Sequence, residues 1–444
     1  ERNRACHLRC KSYGAGTQGG FFIRDTILSF MNAVKLTYPG HPLTGIVRLP
    51  ASKSISNRLL LMQALSGQTF QIENLSEAGD TEVMQNALKG LTDGNREIDV
   101  RDAGTVARFV AAYMALNEIP GTMTGTPALC QRPMAPLIDS LRSLGARIVC
   151  TGKEGFLPLR FEGGTLKGTF VRVDTTQSSQ FLSALLMIAP YLPEGLHITI
   201  SEGTISEPYI TMTLRLMEEL GVDVDKQGNL IRVPKSFYGS RKPLRVEPDW
   251  SSAAPWFSMC VLQDSSSFCF PGLLPDSLQG DRRVTDVFGL MGVVSVFDQG
   301  TLVIRGGGAV DGNLIFDFSA TPDLAQCAIV AAAGRGLRGR FTGLQTLRYK
   351  ETDRYTALRT ELLKMGMATS GTPFVSMNTG MAPLLPQDQY IETYLDHRMA
   401  LAFAPLVLLT NILNLKNPEV VRKSYPQFWE DLRKIGIQTE EYSL

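Results

Sequence analysis

Apolar residues recur at helical spacing, end at a glycine and give way to a short strand-like run, and this pattern returns along most of the chain. It is read at Ala87-Leu88-Lys89-Gly90, Leu141-Arg142-Ser143-Leu144-Gly145 and Met217-Glu218-Glu219-Leu220-Gly221. It returns at Phe288-Gly289-Leu290-Met291-Gly292, Leu363-Lys364-Met365-Gly366 and Leu432-Arg433-Lys434-Ile435-Gly436. A glycine just past the last helical turn takes the left-handed conformation that stops a helix. After a shorter first interval the glycines fall roughly 70 residues apart, the mark of one supersecondary unit used about six times. Helix, glycine, strand is common in any α/β chain; the even spacing makes it a repeat.

The repeats divide into two sets of three near Pro248-Asp249-Trp250-Ser251, after the strand-like Leu244-Arg245-Val246-Glu247. The second set lacks an opening strand, which Lys35 to Leu49 can supply. The expected architecture is therefore two similar α/β domains, residues 51–249 and residues 31–50 plus 251–444. The crossings at Pro50-Ala51 and Pro248-Asp249 are candidate hinges, with a ligand cleft between the domains.

Length agrees, since 444 residues exceed one ordinary domain. The apolar content of 44% supports large cores, and the net charge of +1 gives no global pull toward nucleic acid or an acidic membrane. No run of 18 or more apolar residues is present, so no transmembrane helix is expected. Cys6, Cys10, Cys130, Cys150, Cys260, Cys269 and Cys327 are scattered, odd in number and free of any C-x-x-C, which fits buried thiols in a reducing cytoplasm. His7, His41, His197 and His397 are too dispersed for a protein metal site. Residues 1–30 carry Arg2, Arg4, Arg9, Lys11 and Arg24 with no period; they lack the apolar core of a secretory signal and are not Ser-rich as a transit peptide is. They read as a non-native or disordered extension, with Met31 opening the strand-like Ala33-Val34-Lys35-Leu36-Thr37.

The densest candidate chemistry is Arg348-Tyr349-Lys350-Glu351-Thr352-Asp353-Arg354, just before the amphipathic run Tyr355, Leu358, Leu362, Leu363, Met365. Its charges fall on the loop and first turn of a helix, where free N–H groups and the macrodipole favour an anion. Glu351, held among cations, is a candidate proton donor or acceptor; a solvated salt-bridge network would look the same. Ala51-Ser52-Lys53-Ser54-Ile55-Ser56-Asn57-Arg58 also puts cations and hydroxyls at a helix start, without the glycines of a P-loop. Similar entries are Asp102-Ala103-Gly104-Thr105-Val106-Ala107-Arg108, Gln177-Ser178-Ser179-Gln180, Ser206-Glu207-Pro208-Tyr209, Asp323 after Thr321-Pro322, Asp396-His397-Arg398 and Arg422-Lys423-Ser424-Tyr425-Pro426. Gln131-Arg132-Pro133-Met134 reads as a strand end before a helix. Together these helix N-termini suit a substrate with several negative charges. Arg305-Gly306-Gly307-Gly308, between Thr301-Leu302-Val303-Ile304 and Leu314-Ile315-Phe316, reads as a hairpin loop rather than a nucleotide cradle.

These stretches resemble the 5-enolpyruvylshikimate-3-phosphate synthase family of enolpyruvyl transferases. Ser52-Lys53-Ser54-Ile55-Ser56-Asn57-Arg58 is similar to its S-K-S-x-S-N-R, Lys350-Glu351-Thr352-Asp353-Arg354 to its K-E-S/T-D-R, and Asp396-His397-Arg398-Met399 to its D-H-R-M; Ser178-Ser179-Gln180 and Gly280-Asp281 also match. The resemblance covers about residues 33–440. It implies two domains of three β-α-β-α-β-β units each, an inside-out α/β barrel arrangement with the substrates in the cleft. It also implies transfer of enolpyruvyl from phosphoenolpyruvate to the 5-hydroxyl of shikimate 3-phosphate by addition and elimination, without metal or redox cofactor.

By the same resemblance, Asp323 handles the hydroxyl proton, Glu351 the methylene proton, and Lys53 stabilises developing charge. Shikimate 3-phosphate is expected at Lys53, Ser54, Arg58, Ser178, Ser179, Gln180, Ser206, Tyr209, Asp323 and Lys350. Phosphoenolpyruvate is expected at Lys53, Gly104, Arg132, Gln180, Arg354, Arg398 and Lys423. The herbicide glyphosate is expected to compete with phosphoenolpyruvate. A monomer working on small-molecule substrates in the cytoplasm is expected, with neither nucleic acid nor membrane as partner.

Three positions depart from the family pattern. Asp102 stands where many relatives have Asn, and a carboxylate there needs a partner, with Arg108 the candidate. Phe109 stands where the family often has Pro, and Thr346 where many have an Asn that contacts the shikimate moiety. Two alternatives are a UDP-N-acetylglucosamine enolpyruvyl transferase, for which Cys130 is the nearest loop cysteine, and a non-catalytic anion-binding relative. The latter has no use for Lys53, Asp323 and Glu351 together.

Overall fold

The computed structural model describes residues 32–67, 69–201, 206–310, 314–373, 376–379 and 390–444. The extension read at residues 1–30, with Cys6, Cys10 and His7, lies outside the described residues, as does Met31.

Among the described residues five small sheets each hold one parallel pair followed by antiparallel strands, while Ile72–Glu73 and Leu244–Arg245 form a parallel pair alone. In the first half, Glu97–Asp99 pairs parallel with Gly121–Thr124, which pairs antiparallel with Leu159–Phe161 and that with Ile148–Cys150. The sheet of Phe170–Val173, Leu196–Ile200, Leu230–Val233 and Asp225–Gln227 repeats the pattern. In the second half, Thr44–Ile46 opens the sheet of Ser267–Pro271, Thr301–Arg305 and Val294–Asp298. Asn32–Thr37 pairs antiparallel with both Ile412–Lys416 and Gln438–Ser443, and Tyr390–Ile391 completes that sheet. The chain's first two described strands thus belong to sheets of its second half. This is the mixed α/β fold expected from the repeats, built as the family resemblance implied.

Helices lie inside and sheets outside. Every residue of Ala254–Leu262, Ala325–Gly334 and His397–Phe403 is buried. Helices this apolar on all faces have to be core elements. Strands such as Phe170–Val173 and Leu314–Asp317 alternate exposed and buried residues, as expected of sheets with one solvated face. Two separate cores result. One gathers buried side chains from Ala51 to Val246; the other combines Val34, Leu36, Leu43 and Val47 with residues from Trp250 to Ile437.

The chain passes between the cores twice, side by side. Ser52 N donates to Glu247 O at 2.9 Å and Asp249 N to Pro50 O at 2.8 Å, so the crossings form one short antiparallel bridge. Gln279 ties it down, donating from Nε2 to Pro248 O at 2.8 Å and accepting from Trp250 N at 3.1 Å.

Three local readings change. Gly90 lies inside the helix Gly79–Thr92, and Gly94, at φ +89°, is the left-handed glycine that follows it. Gly145, Gly221, Gly292, Gly366 and Gly436 all have positive φ as expected. Gly306-Gly307-Gly308 is not a hairpin: Thr301–Arg305 and Leu314–Asp317 belong to different sheets. A Cβ at Gly306 would stand 2.4 Å from Cys260 O, so close packing against a helix end accounts for that glycine. Gln131 ends a 3-10 turn, Leu129–Gln131, rather than a strand.

Candidate active site

Between the cores lies a cleft whose empty space, open solvent included, is about 770 Å³. Helix N-termini from both halves converge on it, among them those of Lys53–Leu65, Gly104–Leu116, Gln180–Ile188, Glu207–Glu219, Arg354–Lys364 and His397–Phe403. Several are capped by neighbouring side chains: Ser52 accepts from Ile55 N, Asp353 from Thr356 N and Asp396 from Arg398 N. The first-half wall carries Lys53, Ser54, Arg58, Gly104, Arg132, Ser178, Ser179, Gln180, Ser206 and Tyr209. The second-half wall carries Asp323, Lys350, Glu351, Arg354 and Arg398. All the residues expected at the site line this cavity except Lys423. Its ammonium stands beside two lining carboxylates, 3.7 Å from Asp80 Oδ1 and 3.9 Å from Glu351 Oε1.

Arg354 is the centre of the second-half wall, and its side chain is 1% exposed. Its Nε donates to Asp396 Oδ2 at 2.7 Å, Nη1 to Asp323 Oδ1 at 3.0 Å and Nη2 to Glu351 Oε2 at 2.6 Å. Asp323 also accepts from Arg398 Nη2 at 3.1 Å and from the Tyr209 hydroxyl at 3.2 Å, and Lys350 Nζ stands 3.6 Å away. Glu351 faces Arg132 at 3.8 Å. Burial opposes the charge on Asp323, but Arg398, Lys350 and Arg354 outweigh it and hold the carboxyl well below the usual range. Burial likewise opposes the charge on Glu351, and Arg354, Arg132 and Lys423 outweigh it in the same direction. Both carboxylates are therefore held ionised, and their affinity for a proton stays low as long as these cations face them.

Arg58 is held differently. It donates to Thr213 Oγ1 at 2.8 Å, Ser54 O at 2.9 Å, Ser183 Oγ at 3.2 Å and Tyr209 O at 3.3 Å. Its guanidinium lies 5.6 Å from the Phe109 ring centroid and 5.9 Å from that of Tyr209. Phe109 is fully buried, so the departure from the family pattern supplies a face for Arg58. Gln180 Nε2 donates to Thr105 Oγ1 at 2.8 Å.

The expected Asp102–Arg108 pairing is not formed. Arg108 donates to Gly104 O at 2.7 Å and Pro133 O at 3.0 Å, while Asp102 Oδ2 accepts from Lys423 Nζ at 2.5 Å. The helix Gly104–Leu116 carries Arg108 back over its own first turn, away from the preceding loop. Thr346 lines the cavity, and its buried hydroxyl has no hydrogen-bond partner among the described residues. Cys130 is absent from the lining; its thiol lies 3.5 Å from Gly125 O.

Sequence reasoning missed Asp80 and gave no role to Thr105, Gln177 and His397, which lie in stretches it singled out; all four are in the lining. Asp80 pairs with Lys53 at 3.1 Å, a contact across 27 residues that no local motif announces. His397 had a signal, since it lies inside the D-H-R-M stretch. It is 1% exposed, and neither ring nitrogen has a hydrogen-bond partner among the described residues. Burial, followed by Lys53, pushes its pKa well below the ordinary value. Among the described residues no group of histidine, cysteine and carboxylate side chains is arranged to hold a metal ion, and no helix is long and apolar enough to cross a membrane.

Comparisons with known proteins agree with this arrangement. The family model described as EPSP synthase (3-phosphoshikimate 1-carboxyvinyltransferase) matches residues 37–97 and 92–432. A 3-phosphoshikimate 1-carboxyvinyltransferase of Bacteroides fragilis is 41% identical over 397 residues, covering 88% of this chain and 95% of its own length. One from Citrobacter koseri is 34% identical over 420 residues, covering 88% and 96%. The solved EPSP synthase of Acinetobacter baumannii shares the fold, with a TM-score of 0.71 at 21% identity over 93% of this chain and 100% of its own. The extent of the family match and the identity to these relatives establish that the chain belongs to the EPSP synthase (3-phosphoshikimate 1-carboxyvinyltransferase) family.

Proposed function

We propose that the chain transfers the enolpyruvyl group of phosphoenolpyruvate to the 5-hydroxyl of shikimate 3-phosphate and releases phosphate, a step of the shikimate pathway toward aromatic amino acids. The observation that carries this reading is the Arg354 bridge, which holds Asp323 at 3.0 Å and Glu351 at 2.6 Å as two ionised carboxylates facing a cavity lined by cations. Addition of an alcohol to an enol phosphate needs a base at the hydroxyl and an acid at the methylene carbon. Asp323, beside Tyr209 on the acceptor side, takes the hydroxyl proton. Glu351, once it has taken up a proton from solvent, delivers it to the methylene carbon and takes one back in the elimination. An anionic donor drawn to Arg132, Lys423 and Arg354 relieves their hold on Glu351, so its proton affinity rises when the acid is needed. Lys53 stabilises the charge that develops on the phosphate.

In this reading Lys53, Ser54, Arg58, Ser178, Ser179, Gln180, Ser206, Tyr209, Asp323 and Lys350 meet shikimate 3-phosphate. Lys53, Gly104, Arg132, Gln180, Arg354, Arg398 and Lys423 meet phosphoenolpyruvate. Residues 51–249 act as one domain and residues 31–50 plus 251–444 as the other, a division supported by the two separate cores. Both walls of the cavity come from one chain, which supports a working monomer. The thiols of Cys130, Cys150, Cys260, Cys269 and Cys327 are free, which supports a cytoplasmic location.

The test is phosphate release from phosphoenolpyruvate with each acceptor. Release is expected with shikimate 3-phosphate and not with UDP-N-acetylglucosamine. Release with the sugar nucleotide, or with neither acceptor, overturns the reading.

A further inference from the structure

Three carboxylates stand around the ammonium of Lys423. Asp102 Oδ2 lies 2.5 Å from its ammonium, Asp80 Oδ1 3.7 Å and Glu351 Oε1 3.9 Å. The lysine side chain is 7% exposed, so water contributes little to its surroundings. Burial works against its charge, and Asp80, Glu351 and Asp102 outweigh burial and hold the ammonium above its ordinary pKa. Asp80 and Glu351 also serve Lys53 and Arg354. The Asp102 carboxylate is 53% exposed, and the backbone carbonyl of Asp102 accepts from Lys423 at 2.7 Å independently of the side chain. Removing the carboxylate's charge therefore leaves Lys423 held by a carbonyl and two carboxylates.

We propose that Asp102 sets the affinity for the donor: its carboxylate competes with the incoming phosphoenolpyruvate anion for Lys423 and raises the donor KM without entering the chemistry. This rests on the reaction proposed above. An anion reaching Lys423 has to share the ammonium with Asp102 and bear the repulsion of its charge. An asparagine at 102 still accepts a hydrogen bond from Lys423 but carries no charge.

Asp102→Asn is expected to lower the KM for phosphoenolpyruvate by about threefold to tenfold, the size of one unit charge a few ångströms away at a partly exposed site. It is expected to leave kcat and the KM for shikimate 3-phosphate where they were. Asp102→Glu should restore the wild-type KM, and Asp102→Ser should shift it as Asn does. A donor KM that is unchanged or higher in Asp102→Asn overturns the proposal; a higher KM would mean that Asp102 holds Lys423 in place. If the wild type releases no phosphate, the proposed reaction fails separately. Calorimetry with phosphoenolpyruvate alone then decides this point, tighter binding by Asp102→Asn supporting it and equal or weaker binding overturning it.

Discussion

The two walls of the cleft satisfy their buried arginines in opposite ways. In the first half Arg58 on the wall and Arg108 in the helix Gly104–Leu116 donate to hydroxyls and backbone carbonyls and lie over aromatic rings, with no carboxylate among the described residues in hydrogen-bond contact. On the second-half wall Arg354 donates to Asp396, Asp323 and Glu351, and Arg398 to Asp323. The electrostatic consequence follows the partners. Burial lowers Arg58 to about 10, whereas Arg354 and Arg398 rise above the ordinary value because their carboxylates outweigh burial. Neutral dipoles leave a cation's field free to act on a bound anion. Carboxylate partners consume that field and are themselves kept ionised. One wall is thus suited to holding a polyanion and the other to moving protons on it.

The comparison breaks most sharply at the carboxylates. Glu351→Gln and Asp323→Asn should each lower turnover by about 10²–10⁴-fold, the usual contribution of a general acid or base. Calorimetry should still detect shikimate 3-phosphate binding to both variants. Near wild-type turnover in either would remove the proton roles from this wall. Next in size is Arg58→Gln, which should weaken shikimate 3-phosphate binding by about tenfold to a hundredfold, the range for hydrogen bonds to a charged group. Its kcat at saturating acceptor should change far less, as steady-state kinetics over a range of acceptor concentrations can check.

Gly104 sharpens the boundary between the walls. A methyl group there would stand 2.5 Å from Arg132 Nη1 and 2.6 Å from Arg108 Nη1, so both guanidiniums must shift. Overpacking costs about 1–3 kcal/mol, so Gly104→Ala should raise the donor KM by about fivefold to a hundredfold. It should weaken glyphosate inhibition more than donor binding, because the longer inhibitor has less room. Inhibition curves at several phosphoenolpyruvate concentrations test this, and an Ala variant as sensitive as the wild type would contradict it.

How much of this was legible in the sequence depended on whether the signal was local. The left-handed glycines, Gly145 through Gly436, mark helix ends because backbone geometry demands them within one turn, and so the repeats could be counted. Gly90 misled because a glycine inside a helix looks the same in sequence as one just beyond it. The loop Gly306 to Gly308 misled because alternation reveals a strand but not its partner. Lining residues at helix N-termini were legible as short polar motifs. Their counter-charges were not: the Arg354–Asp396 and Lys423–Asp102 pairs span 42 and 321 residues, and only the folded chain brings them together.

The smallest expected effect concerns His397. Burial, followed by Lys53, depresses its folded pKa, so below the unfolded value of about 6.5 the unfolded chain binds a proton that the folded chain refuses. Stability should therefore fall as pH drops below about 6.5, with this group contributing about 1.4 kcal/mol per pH unit until the folded pKa is reached. In His397→Asn that part of the slope should vanish. Urea unfolding midpoints between about pH 5 and 7.5 check the sign, and an unchanged slope would show that His397 is not the group responsible.

The division of labour between the walls is tested most directly by solvent deuterium entering the enolpyruvyl methylene during turnover in heavy water. Addition turns the methylene into a methyl group and elimination restores it, so the wild-type product should carry deuterium at that carbon. At saturating shikimate 3-phosphate, Arg58→Gln should retain incorporation within about tenfold of the wild type, while Glu351→Gln should lose about a hundredfold or more. Undiminished incorporation in Glu351→Gln, or equal losses in both variants, would contradict the account.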